Sequence, residues 1–461
     1  MQERHKKPYD SVLDLIGWTP LVRLTSVIDG ARTPLYGKLE FMNPGGSIKD
    51  RIGLAMLEAA ENDGTLKPGG TIVEATGGNT GLALAMAASL KGYRCICTMP
   101  DKMSSEKVKL LRAFGAEVII TPTAVPPDHP DHYLQRARSI TAATPGAVMA
   151  DQFYNEANPK AHYETTGREI WEQTDGRITH FVASAGTGGT ITGVGRYLKE
   201  KNPDVLVVGV DPEGSMIAPF FNTGEPIEGT PYKVEGVGND KIPGALDLDV
   251  VDEYRSLDDG SAFRMTRRLT REEGLFAGGS AGMMVHAAVE LAKEIDDPDA
   301  LVVTLLCDWG ERYLSKVYDD EWMRENGFLD RQKRATARDL IGDKSGEAPP
   351  LITVEPSTSV RIALSTITAH DIGQLPVVHD GACVGAITEN RLMAQVLADV
   401  SLLDKPVDAV MDAPFPVIGG HIDSEEIRTL LTHGNAACLV SDNGHLSGII
   451  TRYDVVRALT A

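Results

Sequence analysis

Cysteine is scarce in this 461-residue chain: Cys95, Cys97, Cys307, Cys383 and Cys438 are the only five, too few and too dispersed for a disulfide framework. The Cys95-Ile96-Cys97 pair has no second pair at metal-ligand spacing, so the expectation is reduced thiols, a cytoplasmic setting and no metal centre. Positive charge is also short. The 45 Lys and Arg stand against 65 Asp and Glu, a formal net charge of −20, which argues against sequence-independent binding to nucleic acid or to an anionic membrane surface. No segment approaches the roughly 18 consecutive apolar residues of a membrane span. The polar stretch Met1–Pro8 has no apolar run behind it, so neither secretion nor membrane insertion is expected. What remains is an ordinary globular composition, 42% hydrophobic and 24% charged. The chain is too long for a single compact core, which implies at least two domains.

From Pro34 to Leu306, short apolar runs (Thr71–Glu74, Cys95–Met99, Val118–Thr121, His180–Ala183, Val205–Val210, Leu301–Leu306) alternate with longer helix-patterned stretches. That alternation predicts an α/β fold with a largely parallel sheet. Several runs end in glycine-rich turns that open directly into helices, which is where α/β proteins place ligands. Composition shifts after Leu329, where the charged stretch Asp330–Arg338 leads into Gly342-Asp343-Lys344-Ser345-Gly346 and Pro349-Pro350. An N-terminal domain over 8–328, a linker over 329–350 and a C-terminal domain over 351–461 follow. The last part repeats itself: Val384-Gly385-Ala386-Ile387-Thr388 recurs 63 residues later as Ser447-Gly448-Ile449-Ile450-Thr451, giving half-repeats of about 335–398 and 405–461.

Four turns carry chemistry. In Asn43-Pro44-Gly45-Gly46-Ser47-Ile48-Lys49-Asp50-Arg51 a lysine stands at a helix start, where the helix dipole disfavours its positive charge and eases its use as a nucleophilic amine. Glu74-Ala75-Thr76-Gly77-Gly78-Asn79-Thr80-Gly81 joins a strand to an Ala-rich helix, and its N–H groups and hydroxyls suit a substrate carboxylate. Gly186-Thr187-Gly188-Gly189-Thr190 is a phosphate cradle by the same physics. It is not a Walker loop, because no Gly-Lys-Ser/Thr follows, and it lacks the full spacing of a dinucleotide site. Gly278-Gly279-Ser280-Ala281-Gly282 opens another helix, where Ser280 by itself reads as an N-cap.

Together, in this order, these turns resemble the fold-type II pyridoxal-phosphate enzymes, within them the cysteine synthase and cystathionine β-synthase branch, over about residues 8–328. The resemblance implies a tryptophan synthase β-like core of two α/β subdomains, with Lys49 as the Schiff-base lysine and Asn79 on the cofactor's 3′-oxygen. It further implies that Gly186, Thr187, Gly188, Gly189 and Thr190 hold the cofactor phosphate and that Ser280 meets the pyridine nitrogen. Thr76, Gly77, Gly78, Thr80 and Gln152 would receive the substrate carboxylate. A neutral Ser at the ring nitrogen does not force its protonation, which favours elimination of a β-group; Lys49 would remove the α-proton before a thiol adds.

The half-repeats resemble paired CBS modules (a Bateman, α+β module), and their fusion to this core, with the segment Val234–Pro243, leans towards the cystathionine β-synthase side of the branch. Within that segment Asn239 and Lys241 replace the family's Tyr and Phe, and Gly77 replaces a Ser; Gln152-Phe153 and Gly310–Ser315 lean towards cysteine synthases. The reaction implied is a hydro-lyase-type β-replacement in transsulfuration, L-serine plus L-homocysteine giving L-cystathionine and water. The alternative is O-acetylserine plus sulfide giving cysteine. In the second repeat Thr451 and Asp454 resemble the turn that binds S-adenosylmethionine or an adenine nucleotide, whereas the first has Thr388 but Arg391 in the Asp position. Residues 1–94 contain no Cys, so no haem is expected. The family implies a homodimer or homotetramer acting on small molecules.

Overall fold

The structure is a computed structural model describing residues 8–101, 103, 105–126, 128–329, 336–342, 351–432, 434–442 and 444–460. The chain divides into two compact units, Met1–Asp330 and Arg331–Ala461. The first contains strands β1 (Leu21–Leu24), β2 (Leu35–Leu39), β3 (Thr71–Ala75), β4 (Arg94–Pro100), β5 (Glu117–Thr121), β6 (Ala147–Met149), β7 (His180–Ser184), β8 (Leu206–Pro212), β9 (Glu253–Leu257) and β10 (Val302–Leu306). They form a six-stranded sheet in the order β1-β2-β10-β7-β8-β9 and a four-stranded sheet in the order β5-β4-β3-β6. Every pairing is parallel except β1 with β2.

The apolar runs are continuous because both faces of these sheets are covered. Phe181, Ala183, Val207, Val303 and Leu305 enter one core, while their neighbours Val182, Val208, Val302 and Leu306 enter another. In the smaller sheet Ile72, Cys95 and Cys97 separate in the same way from Val73, Ala75 and Ile96. The Ala-rich helix Asn79–Lys91 is buried continuously from Thr80 to Ala88 and ends on Gly92, whose φ of 77° supplies the left-handed C-terminal turn. None of the five cysteines is in a disulfide, and no described helix is long and apolar enough to cross a membrane.

In the second unit β11 (Gln374–His379) pairs with β12 (Ala382–Thr388), and β13 (Val417–Gly419), β14 (Ala437–Asp442) and β15 (His445–Thr451) form a second sheet. Both hairpins are antiparallel, with a register shift at Val377/Val378 in one and Val440/Ser441 in the other, the same 63-residue offset as the repeated motif. Ala386 and Phe415 share a small core with Ala437 and Leu439, so the half-repeats meet through their sheets. The expected linker needs one correction. Ala337–Gly342 is a helix, with Ala337 and Leu340 buried against Ile427, Leu431, Cys438 and Ile450 of the second repeat. The apolar residues Ala337, Leu340 and Ile341, at helical spacing, outweigh the surrounding charge; the rest of that stretch, 330–335 and 343–350, lies outside the described residues.

Candidate active site

Parallel strands deliver the four turns to one place. The chain leaves β2 at Leu39 and starts a helix at Lys49; it leaves β3 at Ala75 and starts one at Asn79; it leaves β7 at Ser184 and starts one at Gly189. β10 ends beside all of them. The Ile48 N–H donates to the Cys307 carbonyl at 2.9 Å and the Gly278 N–H to the Asp308 carbonyl at 3.1 Å, so the lysine turn and the Ser280 turn are both sewn to the residues after β10. Lys49, Asn79, Gly186, Thr187, Gly188, Thr190 and Ser280 all line one cleft, which is partly open to solvent. Gly189 is not in that lining, nor are Thr76, Gly77, Gly78 and Thr80, which belong to the turn around Asn79, or Gln152, which follows β6. The Thr80 hydroxyl donates to Gln152 Oε1 at 2.6 Å, which joins two segments expected to act together.

Burial pushes the Lys49 amine below its usual pKa, partly opposed by the charges of Cys307 and Asp308. Asp308 was not singled out by sequence reasoning, yet it is central. Its Oδ2 accepts from Asn79 Nδ2 and from the Tyr313 hydroxyl, both at 2.7 Å, and its buried Oδ1 has no partner. Burial raises its pKa, against the pull of those two hydrogen bonds. Arg312 is the second omission. Its guanidinium donates to Asn79 Oδ1 and, at 2.6 Å, to the Gly45 carbonyl. Because a guanidinium only donates, it fixes which way the Asn79 amide points and ties it to the lysine turn. The Gly310–Ser315 segment was the sequence signal that contained it. Cys307, also in the cleft lining, has its thiol pushed up to about 12 by burial.

A buried ion network is built around Arg51, two residues after Lys49 on the same helix. Arg51 forks onto Glu40 (Nε–Oε2 2.7 Å, Nη2–Oε1 2.8 Å) and onto Glu169 (Nη1–Oε1 2.7 Å, Nη2–Oε2 2.8 Å). Lys38 uses its ammonium on Glu169, Gln173 and the Thr19 carbonyl. No local pattern announced it, since its members come from distant parts of the chain. In the segment Val234–Pro243, Asn239 donates to the Gly186 carbonyl at 3.2 Å and the Gly238 N–H to that of Ala185 at 2.8 Å, bracing the phosphate-type loop. Lys241 Nζ lies 6.0 Å from the centre of the Tyr154 ring. In the second unit the Thr451 N–H and hydroxyl both donate to Asp454 Oδ2, at 2.7 and 2.8 Å, so these two residues engage each other. At the corresponding place in the first repeat, Arg391 pairs with Asp412.

The family model "Pyridoxal-phosphate dependent enzyme" matches residues 12–308, and the CBS domain model matches 347–398 and 407–461. A cystathionine beta-synthase of Dictyostelium discoideum is 38% identical over 98% of this chain and 92% of its own length. Those of Oryctolagus cuniculus and Saccharomyces cerevisiae are 43% and 38% identical, over 84% and 86% of this chain and 71% and 83% of theirs. The chain belongs to the cystathionine beta-synthase family. Its cofactor is therefore pyridoxal 5′-phosphate.

The residues of this family member fit that group. A phosphate needs a helix N-terminus with bare backbone, and Gly188 caps the helix Gly189–Lys201 at φ 86°, with no acidic residue in its first turn and Lys199 and Lys201 in its last. The glycines are packed from behind: a Cβ on Gly186 would lie 2.5 Å from the Gly236 carbonyl, one on Gly188 2.3 Å from Leu246, and one on Gly189 1.9 Å from Asn158. Ser184 Oγ and Asp308 Oδ1 are buried polar atoms without partners in or beside the same cleft, as expected of groups arranged around a polar ligand.

Proposed function

We propose that this protein condenses L-serine with L-homocysteine to L-cystathionine and water, with Lys49 as the residue that holds the cofactor and moves the protons. The observation that carries the reading is the convergence of Lys49, Asn79, Ser280 and the loop Gly186–Thr190 on one cleft, in a chain related along nearly its whole length to cystathionine beta-synthases. Lys49 would hold the cofactor's carbonyl carbon, Asn79 its ring oxygen, Ser280 its ring nitrogen, and Gly186, Thr187, Gly188, Gly189 and Thr190 its phosphate. When bound, pyridoxal phosphate supplies the electron sink that lets a Cα–H bond break next to an amino group.

The remaining chemistry falls to the chain. Thr76, Gly77, Gly78, Thr80 and Gln152 bind the serine carboxylate by hydroxyl, amide and helix-terminal N–H donors, and so orient the Cα–H bond towards Lys49. Burial favours the neutral Lys49 amine, which takes the Cα proton and passes a proton to the departing hydroxyl, so that the Cβ–O bond breaks and water leaves. Homocysteine then gives up its S–H proton to Lys49 as its sulfur bonds to Cβ, and Lys49 delivers that proton to Cα. Ser280, being neutral, would not force a proton onto the ring nitrogen it meets, which favours loss of the β-substituent over other fates.

Residues 8–328 are thus the catalytic region and 351–461 the regulatory one. In the latter, S-adenosylmethionine or an adenine nucleotide binds at Thr451 and Asp454 through hydrogen bonds to the ribose hydroxyls, at the cost of the hydrogen bonds these two residues make to each other. Calorimetric titration with S-adenosylmethionine and with an adenine nucleotide tests this; no saturable heat from either would reject it. The protein is read as a cytoplasmic homodimer or homotetramer. The primary test is mass spectrometry of products from cofactor-loaded protein with L-serine and L-homocysteine. Rapid cystathionine formation is expected; cysteine from O-acetylserine and sulfide, with no cystathionine, would overturn the assignment.

A further inference from the structure

One buried histidine touches the phosphate-type loop and has no role in the chemistry above. Ala157–Ala161, His162–Gly167 and Arg168–Gln173 follow one another with helical backbone throughout, and the middle six residues are π-wound. A π turn is a costly irregularity, kept in proteins mostly where it aims a side chain. Here it aims His162. The ring is fully buried, with Nε2 3.1 Å from Thr190 Oγ1 and Nδ1 2.9 Å from Thr166 Oγ1. Glycines at the helix crossing make this reach possible: a Cβ on Gly193 would lie 2.1 Å from the Pro159 carbonyl and 2.8 Å from His162 Cβ, and one on Gly167 2.8 Å from Tyr197 Cβ.

The donor inventory of the three residues has one arrangement that leaves a hydrogen for the cleft. A hydroxyl carries a single proton, and a neutral imidazole has one N–H and one bare nitrogen. If Thr166 donates to Nδ1, then Nε2 carries the hydrogen and donates to Thr190 Oγ1, and the Thr190 proton is left pointing into the cleft that Thr190 lines. With the other tautomer, Thr190 would spend its proton on His162 and offer the cleft only lone pairs, which repel an anion. The ring is held neutral above all by burial, with the Arg51 charge acting the same way against the opposing charge of Glu169. A charged ring would instead donate from both nitrogens, making Thr166 an acceptor, but burial excludes it.

We infer that His162 is a positioning residue for the cofactor phosphate: as its Nε2–H tautomer, fixed by Thr166, it turns the Thr190 hydroxyl proton onto a phosphate oxygen. This rests on the reading that the loop Gly186–Thr190 holds that phosphate. The test uses full-length holoenzyme, reading cofactor dissociation by absorbance during dialysis and the phosphorus-31 resonance of the bound phosphate. H162L should weaken cofactor binding by roughly threefold to tenfold and shift the resonance, while H162Q, which keeps a side-chain N–H donor, should recover most of the loss. T190V should weaken binding at least as much, and H162L/T190V no more than T190V alone, because the histidine acts only through that hydroxyl. Additive losses, or H162L with unchanged affinity and resonance, would overturn the inference. T190V binding cofactor like the parent protein would instead overturn the loop assignment. Should H162L not fold, T166V carries the test: severalfold weaker binding supports the tautomer chain, and unchanged binding rejects it.

Discussion

Replacing Arg51 by Met isolates what the buried ion network contributes. The guanidinium makes four hydrogen bonds of 2.7–2.8 Å to Glu40 and Glu169, both of which are fully or almost fully buried. Methionine fills much of the same volume but leaves two buried carboxylates facing one cation, Lys38. Removing one partner from such a set costs roughly 3–5 kcal/mol, because the remaining charges stay desolvated. In a domain of this size that corresponds to a melting shift of about 4–7 °C.

The pH dependence gives a sharper signature of the same perturbation. Burial is the largest influence on Glu169 and pushes its pKa up, but the charge and hydrogen bonds of Arg51, with Lys38, outweigh it and hold the carboxyl down to about 2, against 4.5 unperturbed. In the parent protein this group therefore stabilises the fold above pH 4.5, and the contribution is lost as pH falls towards 2. Without Arg51 the buried carboxyls rise above their unfolded values, so the folded variant takes up protons first and its deficit shrinks on acidification. Trp18, Trp171, Trp309 and Trp322 are the only four tryptophans and all lie in the first unit, so urea unfolding followed by tryptophan fluorescence from pH 5 to pH 8 reads this domain alone. A loss below about 1 kcal/mol, or a deficit that does not shrink at low pH, would refute the reasoning.

Three further outcomes are expected. Lys49→Ala should lower turnover by about a thousandfold or more and abolish the absorbance of covalently held cofactor; normal turnover would remove Lys49 from the mechanism. Gly188→Ala forces a φ of 86° on a residue with a Cβ that would sit 2.3 Å from Leu246, so cofactor affinity should fall, by roughly 1–3 kcal/mol on a dialysis assay. The Cys307 thiol, raised to about 12, should resist iodoacetamide at pH 8 in the native protein and react once unfolded; fast native labelling by mass spectrometry would contradict that raised pKa.

Much of the site was legible because its parts are local. A glycine turn between an apolar run and a helix pattern is visible in ten residues, and this picked out Lys49, Asn79, the Gly186–Thr190 loop and Ser280, all of which except Gly189 line the cleft. The sewing between them was not legible. Asn79 and Arg312 lie 233 residues apart, and Asn79 and Asp308 lie 229 apart. Thr336–Gly342 looked like a connector because its charge is local information, while the partners of Ala337 and Leu340 are residues of the second repeat.

By itself the sequence determined the alternation of strands and helices, the turns that start each helix, and the duplication in the C-terminal unit, since each depends on neighbours a few residues apart. Tertiary structure decided that β10, the last strand of the first unit, lies between β2 and β7, which carries Asp308, Arg312 and Tyr313 to the lysine and phosphate-type turns. It also decided that Lys38, Glu40, Arg51 and Glu169 are buried together, and that a π turn brings His162 against Thr190. Such pairings depend on strand order and helix crossing, which are set by how whole surfaces pack and leave no periodic mark along the chain.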